Sequence, residues 1–430
     1  MTTAQGGYTP VYRWVKHVLG HTHATVVVTI AWAVLCLLVA PRVTAAALAR
    51  ALPAEHAGSG RSCLRRVWRW WSGPALAQVL ISPALIRLAL PWLARDQAVV
   101  VALDTTRLGP WEGWLAGIVR AGRTLPIGWA VLPSPWPKGR FRVTTLALIP
   151  QLQQAFPTGV RWTLVADRGF PSARLLAQLR QGGTDFSVRL RLSDWVRVDR
   201  VYAPVSAHLA AGRLVVGQRT AATMGRGTVA QPRVPAAIVV SAAVVTPPRH
   251  KQNPGTARER AQRAKQHAQH RQHQHGRKTT PPSAAAQRYA QPWVLCTTAS
   301  TVAQAVTEYA GRMSIEETYR DWHQHWAVRA AVIDRPTEAR VARLMGIVCL
   351  AYTVQMHLGQ RVSAAPVGQR RRVQWTVTDR VSWFWCGQRL FDDPGYDWTD
   401  WLDQPWKSLG WPGGTASAMS ALEPTLAAAA

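Results

Sequence analysis

From residue 97 onward, short apolar runs alternate with segments whose apolar residues follow helical spacing. The apolar runs, each typical of a buried strand, cover residues 97–104, 114–121, 123–133, 161–167 and 185–192. Segments 142–156 and 172–181 instead repeat apolar residues every three or four positions, which predicts amphipathic helices. The short connection at Gly122 favours a hairpin between the second and third runs. This order of strands and helices predicts a mixed α/β sheet.

The segments on either side of this pattern differ from it in composition and in the spacing of apolar residues. Residues 1 to about 97 carry apolar helical stretches broken by prolines. Residues 195–245 are rich in valine and punctuated by glycine and proline, which predicts an all-β stretch, and 292–299 predicts one more strand. Between them lies 247–289, which is dense in Pro, Gln, His, Ala and Arg, and which we predict to be a solvated, disordered basic loop. A long helical pattern then covers 301–330.

The chain is strongly basic. Fifty-one Lys and Arg oppose 22 Asp and Glu, which gives a formal net charge of +29. A surplus of this size indicates a polyanionic partner, either nucleic acid or an anionic membrane face. Five isolated cysteines argue against a disulfide framework or a zinc ribbon and favour a reducing cytosol. The apolar stretch Thr25–Ala40 is shorter than the roughly 20 residues that a membrane-spanning helix needs, so we interpret it as a buried core helix.

Residues 61–71, with the sequence RSCLRRVWRWW, interleave arginines with tryptophans. One interpretation is an amphipathic helix on the protein surface. The other is a DNA-contacting helix, in which Arg65, Arg66 and Arg69 bind phosphates while the tryptophans pack behind them or stack on bases. The sequence leaves both interpretations open.

Two carboxylates end apolar runs. Asp104 closes the run VVVALD, and Asp167 closes TLVAD. A carboxylate at the end of a buried strand is costly unless it is paired or binds a cation. Because the pattern occurs twice, on strands that we expect to be neighbours, we predict that both converge on a site for Mg²⁺ or Mn²⁺, which prefer oxygen ligands. The alternative is that one aspartate caps a following helix and the other pairs with Arg168.

The helical pattern at 301–330 offers a third carboxylate. Four polar residues there are separated by three, four and seven positions: Tyr309, Arg312, Glu316 and His323. These steps return to one face of a helix, so we predict a single polar stripe. An apolar stripe beside it, which should pack on the sheet, is formed by Ile315, Tyr319, Trp322 and Trp326. Glu316 borders that buried stripe, whereas Glu317 is rotated by about 100° and should lie nearer solvent or pair locally with Arg320.

Together these blocks resemble the insertion sequence four family of DDE transposases. The resemblance rests on Asp104-Thr105-Thr106, on Asp167-Arg168-Gly169-Phe170, and on the spacing Tyr-x2-Arg-x3-Glu-x6-Lys in YAGRMSIEETYRDWH, which begins at Tyr309. It covers residues 97–330. One position departs from the pattern, because His323 stands where the family has lysine, and histidine is a weaker and pH-dependent cation.

The resemblance implies a ribonuclease H-like catalytic core, a mixed sheet with an inserted all-β subdomain and a helical N-terminal domain. The implied regions are a helical DNA-binding domain at 1–96, a first part of the core at 97–194, a β insertion at 195–300 that contains the basic loop at about 247–289, a second part of the core at 301–360, and a C-terminal region of unassigned role at 361–430.

The resemblance also implies cut-and-paste DNA transposition, with metal-dependent cleavage at the element's ends followed by strand transfer. Asp104, Asp167 and Glu316 would hold two Mg²⁺ or Mn²⁺ ions about 4 Å apart. The implied partners are the terminal inverted repeats and target DNA, bound by a homodimer in a synaptic complex, with no membrane and with a cytoplasmic, nucleoid-associated location. The resemblance implies DNA binding by Tyr309, Arg312 and the His323 position. We add the basic residues Arg168, Arg320, Arg65, Arg66 and Arg69 as further DNA-binding candidates.

Other functions stay open at this point. One is a metal-dependent nuclease on the same core, which cuts DNA but never joins strands. Another is a catalytically impaired DNA-binding remnant of a transposase. A membrane-surface protein is a more distant alternative.

Overall fold

The computed structural model describes residues 4–19, 23–40, 42–52, 59–72, 83–90, 98–241, 292–328, 337–364 and 382–392. The basic loop predicted at 247–289 and most of the C-terminal region at 361–430 lie outside these residues.

A single mixed sheet forms the centre of the fold. Its strands are β1 (Val99–Leu108), β2 (Trp111–Arg120), β3 (Arg123–Pro133), β4 (Trp162–Ala166), β5 (Asp185–Arg189), β6 (Trp195–Val198), β7 (Val201–Pro204), β8 (Arg219–Met224), β9 (Val234–Val240) and β10 (Val294–Thr297). They form one ten-stranded sheet in the order β3-β2-β1-β4-β5-β10-β9-β8-β6-β7. The pairs β1–β4 and β4–β5 are parallel, and the other neighbours are antiparallel. The mixed α/β sheet predicted from the sequence is confirmed.

Helices precede, interrupt and follow the strands. Those before the sheet are α1 (Ala4–Leu19), α2 (Ala24–Val39), α3 (Ala45–Arg50), α4 (Gly60–Ser72) and α5 (Pro83–Ala89). Those between strands are α6 (Arg140–Ala155), α7 (Ala173–Gln181) and α8 (Val205–Ala210). Those after β10 are α9 (Val302–Ala310), α10 (Met313–His325), α11 (Glu338–Ala364) and α12 (Trp383–Asp392). The helical N-terminal region and the helices predicted between strands are confirmed.

The β2–β3 hairpin turns at the glycine that the sequence singled out. Arg120 pairs with Arg123, which leaves a two-residue loop of Ala121 and Gly122 with φ values of 48° and 70°. Two successive positive φ values are typical of a type I′ turn, whose twist matches that of the flanking strands. Glycine adopts such a φ without a steric penalty, so the predicted hairpin is confirmed.

The β insertion extends the core sheet instead of forming a sheet of its own. β9 pairs with β10, and β10 pairs with β5, so the inserted strands continue the same hydrogen-bonded ladder. The all-β prediction for 195–245 is wrong at one point, because α8 lies between β7 and β8. Pro204 precedes it with φ of −59° and ψ of 149°, and the alanine-rich sequence that follows favours a helix until Gly212 adopts a φ of 67°.

One hydrophobic cluster joins the N-terminal helices to the sheet. It contains Ile30 of α2 together with Leu103 of β1, and both side chains are fully buried. The backbone N–H of Val43 donates to the carbonyl oxygen of Trp326 at 2.8 Å. α2 is buried along most of its length, which confirms the interpretation of Thr25–Ala40 as a core helix.

Within the part of the chain that the structure describes, only α11 is long and apolar enough to cross a membrane. In its most apolar window, 94% of the residues are buried inside the protein. A core helix passes the same test of length and composition, so α11 is weak evidence for a membrane span.

The predicted helix at 301–330 is in fact two helices, α9 and α10, separated by Gly311 and Arg312. At this junction bonds to the residue three positions back appear: Gly311 N–H donates to both Thr307 O at 3.3 Å and Glu308 O at 3.1 Å, and Arg312 N–H donates to Tyr309 O at 3.0 Å. Such bonds tighten the turn as in a 3₁₀ helix. The φ and ψ angles of both junction residues remain helical.

Candidate active site

Asp104 and Asp167 lie where two parallel strands stop pairing. The β1–β4 ladder ends with Leu103 opposite Ala166, and each aspartate is the next residue of its chain segment. The strands are neighbours, as predicted. Asp104 does not end β1, however, because β1 continues to Leu108 along β2. A strand therefore follows Asp104, which excludes the alternative in which it caps a helix.

The Arg312 guanidinium joins Asp104 to Glu316. Its Nη1 donates to Asp104 Oδ2 at 3.0 Å, and its Nη2 donates to Glu316 Oε1 at 2.6 Å. The Arg312 side chain is only 7% exposed, so its guanidinium is largely shielded from water, whereas the Asp104 and Glu316 side chains are 19% and 36% exposed. Two carboxylates that are remote in sequence therefore share one buried cation.

Tyr309 links the remaining carboxylate, Asp167, to the Arg312 cluster. Its hydroxyl donates a hydrogen bond to Asp167 Oδ1 at 3.2 Å. Burial raises the pKa of this hydroxyl, so it stays protonated as a donor. The Arg312 guanidinium lies 5.8 Å from the centroid of the Tyr309 ring, a cation–π contact. The hydrogen-bond partner of Asp167 in the structure is thus the Tyr309 hydroxyl. Arg168, the partner that the sequence suggested as an alternative, is exposed.

The three carboxylates are close enough to act on one another. Burial raises the pKa of Asp104 to about 6, and repulsion from Glu316 and Asp167 adds to the rise. The charge of Arg312 and the N–H of Thr105, which donates to Asp104 Oδ1 at 2.8 Å, oppose it. Burial alone would lower the pKa of Arg312, but Tyr309 and the three carboxylates together raise it.

Of the two adjacent glutamates, Glu316 faces the aspartates. Glu317 instead accepts a 2.6 Å bond from Arg320 Nη1, the local pairing predicted from the sequence. The expectation that Glu317 lies nearer solvent is wrong, since its side chain is 18% exposed against 36% for Glu316. Glu317 lies beside the face of α10 that packs against β3, where it interacts electrostatically with Arg123.

The other residues predicted on the two faces of the helix, His323 and the apolar stripe, both contact the core. The ring nitrogen Nε2 of His323 lies 2.9 Å from Thr106 Oγ1, so His323 contacts β1 two residues beyond Asp104. The apolar stripe of Ile315, Tyr319, Trp322 and Trp326 is buried, as predicted. It packs against α11 as well as the sheet, because the Trp322 and Tyr352 rings meet edge to face.

The arginines proposed to bind DNA lie in two kinds of surroundings. Arg65, Arg66 and Arg69 are exposed on α4. The opposite side of α4 is buried and consists of Cys63, Val67 and Trp70. This burial pattern is that of an amphipathic surface helix and leaves the arginines accessible to DNA. Arg168 and Arg320 are also exposed, whereas Arg312 and Tyr309 are buried.

The donor atoms at this site suit a hard divalent cation. Among the residues that the structure describes, no three His, Cys, Asp or Glu side chains are arranged tightly enough to hold a metal ion. The two ion pairs of Arg312 nevertheless show that oxygens of Asp104 and Glu316 already converge on one positive group. Carboxylate oxygens are the ligands that Mg²⁺ and Mn²⁺ prefer, so the residues fit such an ion if the guanidinium moves aside.

Residues 143–354 match the family model of the transposase DDE domain. The chain carries a transposase DDE domain. The match confirms the resemblance at the level of DDE transposases and does not distinguish the insertion sequence four family from others. No curated protein matches the chain.

The transposase DDE domain contains most of the candidate site. It includes Asp167, Tyr309, Arg312 and Glu316, while Asp104 lies ahead of the match on β1. The mixed sheet is compatible with a ribonuclease H-like transposase core. A transposase function in general follows from the domain, and this family generally uses a divalent metal.

A basic pocket outside the carboxylate cluster was not predicted from the sequence. It has a volume of about 350 Å³ and is lined by residues that include Arg142, Arg174, Trp195, Tyr202 and Arg226. The Trp195 and Tyr202 rings lie 5.3 Å apart, and the Arg226 guanidinium lies 5.8 Å from the Tyr202 centroid. These residues come from α6, α7 and the β insertion. The arginine and aromatic residues of the insertion were the sequence signal for this pocket, but only the fold brings them together with Arg142 and Arg174.

Proposed function

We propose that the protein is a transposase that binds the ends of a DNA element, cuts them in a metal-dependent reaction and joins the freed 3′ ends to target DNA. The observation that carries this proposal is that Arg312 bonds both Asp104 and Glu316, while Tyr309, whose ring lies against Arg312, bonds Asp167. The transposase DDE domain match contains two of these three carboxylates. In this proposal two copies of the chain act on paired ends.

The three carboxylates would hold two Mg²⁺ or Mn²⁺ ions. When bound, these cations stabilise charge on the attacking and leaving oxygens of a phosphodiester. The N–H of Thr105 fixes the rotation of the Asp104 carboxylate, and the Tyr309 hydroxyl does the same for Asp167. Such outer hydrogen bonds orient metal ligands before the metal arrives.

The surface of the protein supports DNA as the substrate. The chain has a net charge of +29, and Arg65, Arg66 and Arg69 are exposed on α4. We therefore assign DNA binding to the N-terminal region at 1–96 as well as to the core. The basic pocket lined by Trp195 and Tyr202 adds a second surface on which phosphates and bases could bind by ion pairing and stacking.

The test compares the two neighbouring glutamates. With Mg²⁺ or Mn²⁺, nicking of a supercoiled plasmid should fall by at least about a hundredfold in Glu316→Gln, because a metal ligand loses its charge. Asp104→Asn and Asp167→Asn should behave in the same way while duplex binding persists. Glu317→Gln is the matched control and should keep its activity, since its carboxylate is paired with Arg320.

Two results would overturn this assignment. One is activity that survives thorough chelation or that proceeds with Ca²⁺ as well as with Mg²⁺. The other is loss of nicking in Glu317→Gln with retention in Glu316→Gln. Joining of a duplex with a pre-cut 3′ end to plasmid DNA separates a transposase from a nuclease that only cuts.

A further inference from the structure

We propose that Arg312 is an internal counter-ion that closes the carboxylate site to divalent metal until the guanidinium is drawn away. The inference rests on the proposed function for the role of the carboxylates and adds a control over when metal can bind. It makes metal loading a competition between two cations for the same oxygens.

The contacts of Arg312 are the first support. Its two terminal nitrogens bond separate carboxylates, Asp104 Oδ2 at 3.0 Å and Glu316 Oε1 at 2.6 Å. Mg²⁺ needs oxygens at about 2.0–2.1 Å in near-octahedral geometry. A guanidinium inserted between the same two oxygens excludes that geometry. Metal and Arg312 therefore cannot occupy this position together.

The surroundings of Arg312 are the second support. Its side chain is 7% exposed and lies over the Tyr309 ring, whose hydroxyl bonds Asp167. Arg312 thus lies among all three carboxylates in a position where water screens its charge poorly. Withdrawing it would leave these carboxylates without a counter-charge, so the guanidinium leaves readily only when another cation replaces it.

DNA is the partner whose chemistry can draw the guanidinium away. A phosphate can pair with a guanidinium through two parallel bonds, and the two terminal nitrogens of Arg312 now bond one carboxylate each. A phosphodiester at the site would accept Arg312 and free Asp104 and Glu316 for metal. Binding of DNA and binding of metal would then reinforce each other, as thermodynamic linkage requires.

The experiment measures Mn²⁺ affinity of the full chain without DNA, by calorimetry or by the electron paramagnetic resonance of free Mn²⁺. Arg312→Lys keeps the charge, but its shorter side chain ends in one ammonium in place of a planar group with two terminal nitrogens, so it should hold the two carboxylates less well. Mn²⁺ should therefore bind at least about tenfold more tightly than to the wild type. Arg312→Gln should show the same or a larger gain. Adding Asp104→Asn to Arg312→Lys should abolish the gain, which locates the ion.

Arg107→Gln is the matched control. It removes one positive charge from β1 three residues after Asp104, and its exposed side chain emerges on the opposite face of the strand. Its Mn²⁺ affinity should stay within about twofold of the wild type. A gain in Arg107→Gln equal to that in Arg312→Gln, with none in Arg312→Lys, would show that only net charge matters and would overturn the proposal.

The wild type provides a test that needs no Arg312 variant to fold. A duplex oligonucleotide should raise its Mn²⁺ affinity by about tenfold, and equal affinity with and without DNA would overturn the proposal. These readouts are independent of catalysis. If Arg312→Lys binds Mn²⁺ more tightly but the wild type never nicks DNA, the counter-ion role is supported and the proposed function is refuted. If the wild type nicks DNA but neither Arg312→Lys nor added DNA changes the Mn²⁺ affinity, the proposed function is supported and the counter-ion role is refuted.

Discussion

Single charges determine how the site behaves. Three carboxylates and one guanidinium make the cluster around Arg312 net negative, although the chain carries +29 overall. Burial and mutual repulsion raise the pKa of Asp104 to about 6, so the ionised cluster is under electrostatic strain that a further cation relieves. This local reversal of sign would allow a protein of high net positive charge to attract metal ions at one point, as the proposed function requires.

His323 is the residue where this chain departs from the family pattern. Its Nε2 contacts Thr106 on β1, and its side chain is partly exposed beside the site. Histidine carries a full positive charge only when protonated, whereas lysine carries one throughout the neutral range. His323→Lys should therefore tighten binding of duplex DNA by about threefold to tenfold, measured by fluorescence anisotropy at fixed salt.

Gln324→Lys is the control for this change. It adds the same charge to the same helix at the next, exposed position, which points away from β1. Equal gains in the two variants would mean that total charge, and not the position of residue 323, sets the affinity. No gain in His323→Lys would show that this residue does not contact phosphate.

At the scale of elements, most strands and helices could be predicted from local patterns, but the side-chain contacts between remote segments could not. The β2–β3 hairpin, α6 and α7 follow from turn chemistry and apolar spacing over a few residues each. The break between α9 and α10 was missed because Gly311 and Arg312 keep helical angles and only their bonding shifts. Spacing selected Glu316 over Glu317, yet no local pattern could show that Arg312 bridges it to Asp104.

The position of α10 depends on a buried polar contact that the sequence did not reveal. Arg123 of β3 donates from Nε to Asp321 Oδ2 at 2.7 Å, and Tyr352 donates to the same oxygen at 3.1 Å. Beside them the N–H of Thr124 donates to Thr318 Oγ1 at 2.9 Å. These bonds fix the rotation of α10 about its axis, and with it the direction in which Glu316 points.

Breaking this contact should destabilise the protein far more than breaking a surface ion pair. Asp321→Asn leaves Arg123 buried without its counter-charge, which should cost about 3–5 kcal/mol of unfolding free energy. The control is Glu338→Gln, whose partner Arg140 and own side chain are about half exposed, and it should cost less than about 1 kcal/mol. Urea unfolding measures both, and similar small losses would show that Arg123 and Asp321 do not hold α10 in place.

Across the whole molecule, one hydrophobic core joins α4, which carries exposed arginines, to the sheet that carries Asp104. α4 packs against α11, and α11 packs against the edge strand β3, which β2 separates from β1, the strand that carries Asp104. The hydrophobic cluster runs from the N-terminal helices through the sheet to α12. We therefore interpret the described helices α1–α5 as fixed to the core, and we propose that the exposed arginines of α4 bind DNA from that fixed position.

The net charge of +29 predicts how the molecule as a whole responds to salt. Each phosphate neutralised by Lys or Arg releases condensed counterions, so affinity for duplex DNA falls with a logarithmic slope of about −0.9 per contact. With six to ten such contacts the loss between 50 and 200 mM salt would be about a thousandfold or more.

Residues 249–278 contribute nine Lys and Arg against one carboxylate, Glu259. Replacing those nine residues by glutamine should therefore make the slope measurably shallower at unchanged chain length. The fold should tolerate this, because Val240 pairs directly with Val294 and the ladder between β9 and β10 does not need the intervening charges. Anisotropy titrations at several salt concentrations measure the slope, and thermal unfolding checks the fold. An unchanged slope would mean that segment 249–278 contacts no phosphate, and an affinity independent of salt would mean that the charge of the protein serves a partner other than DNA.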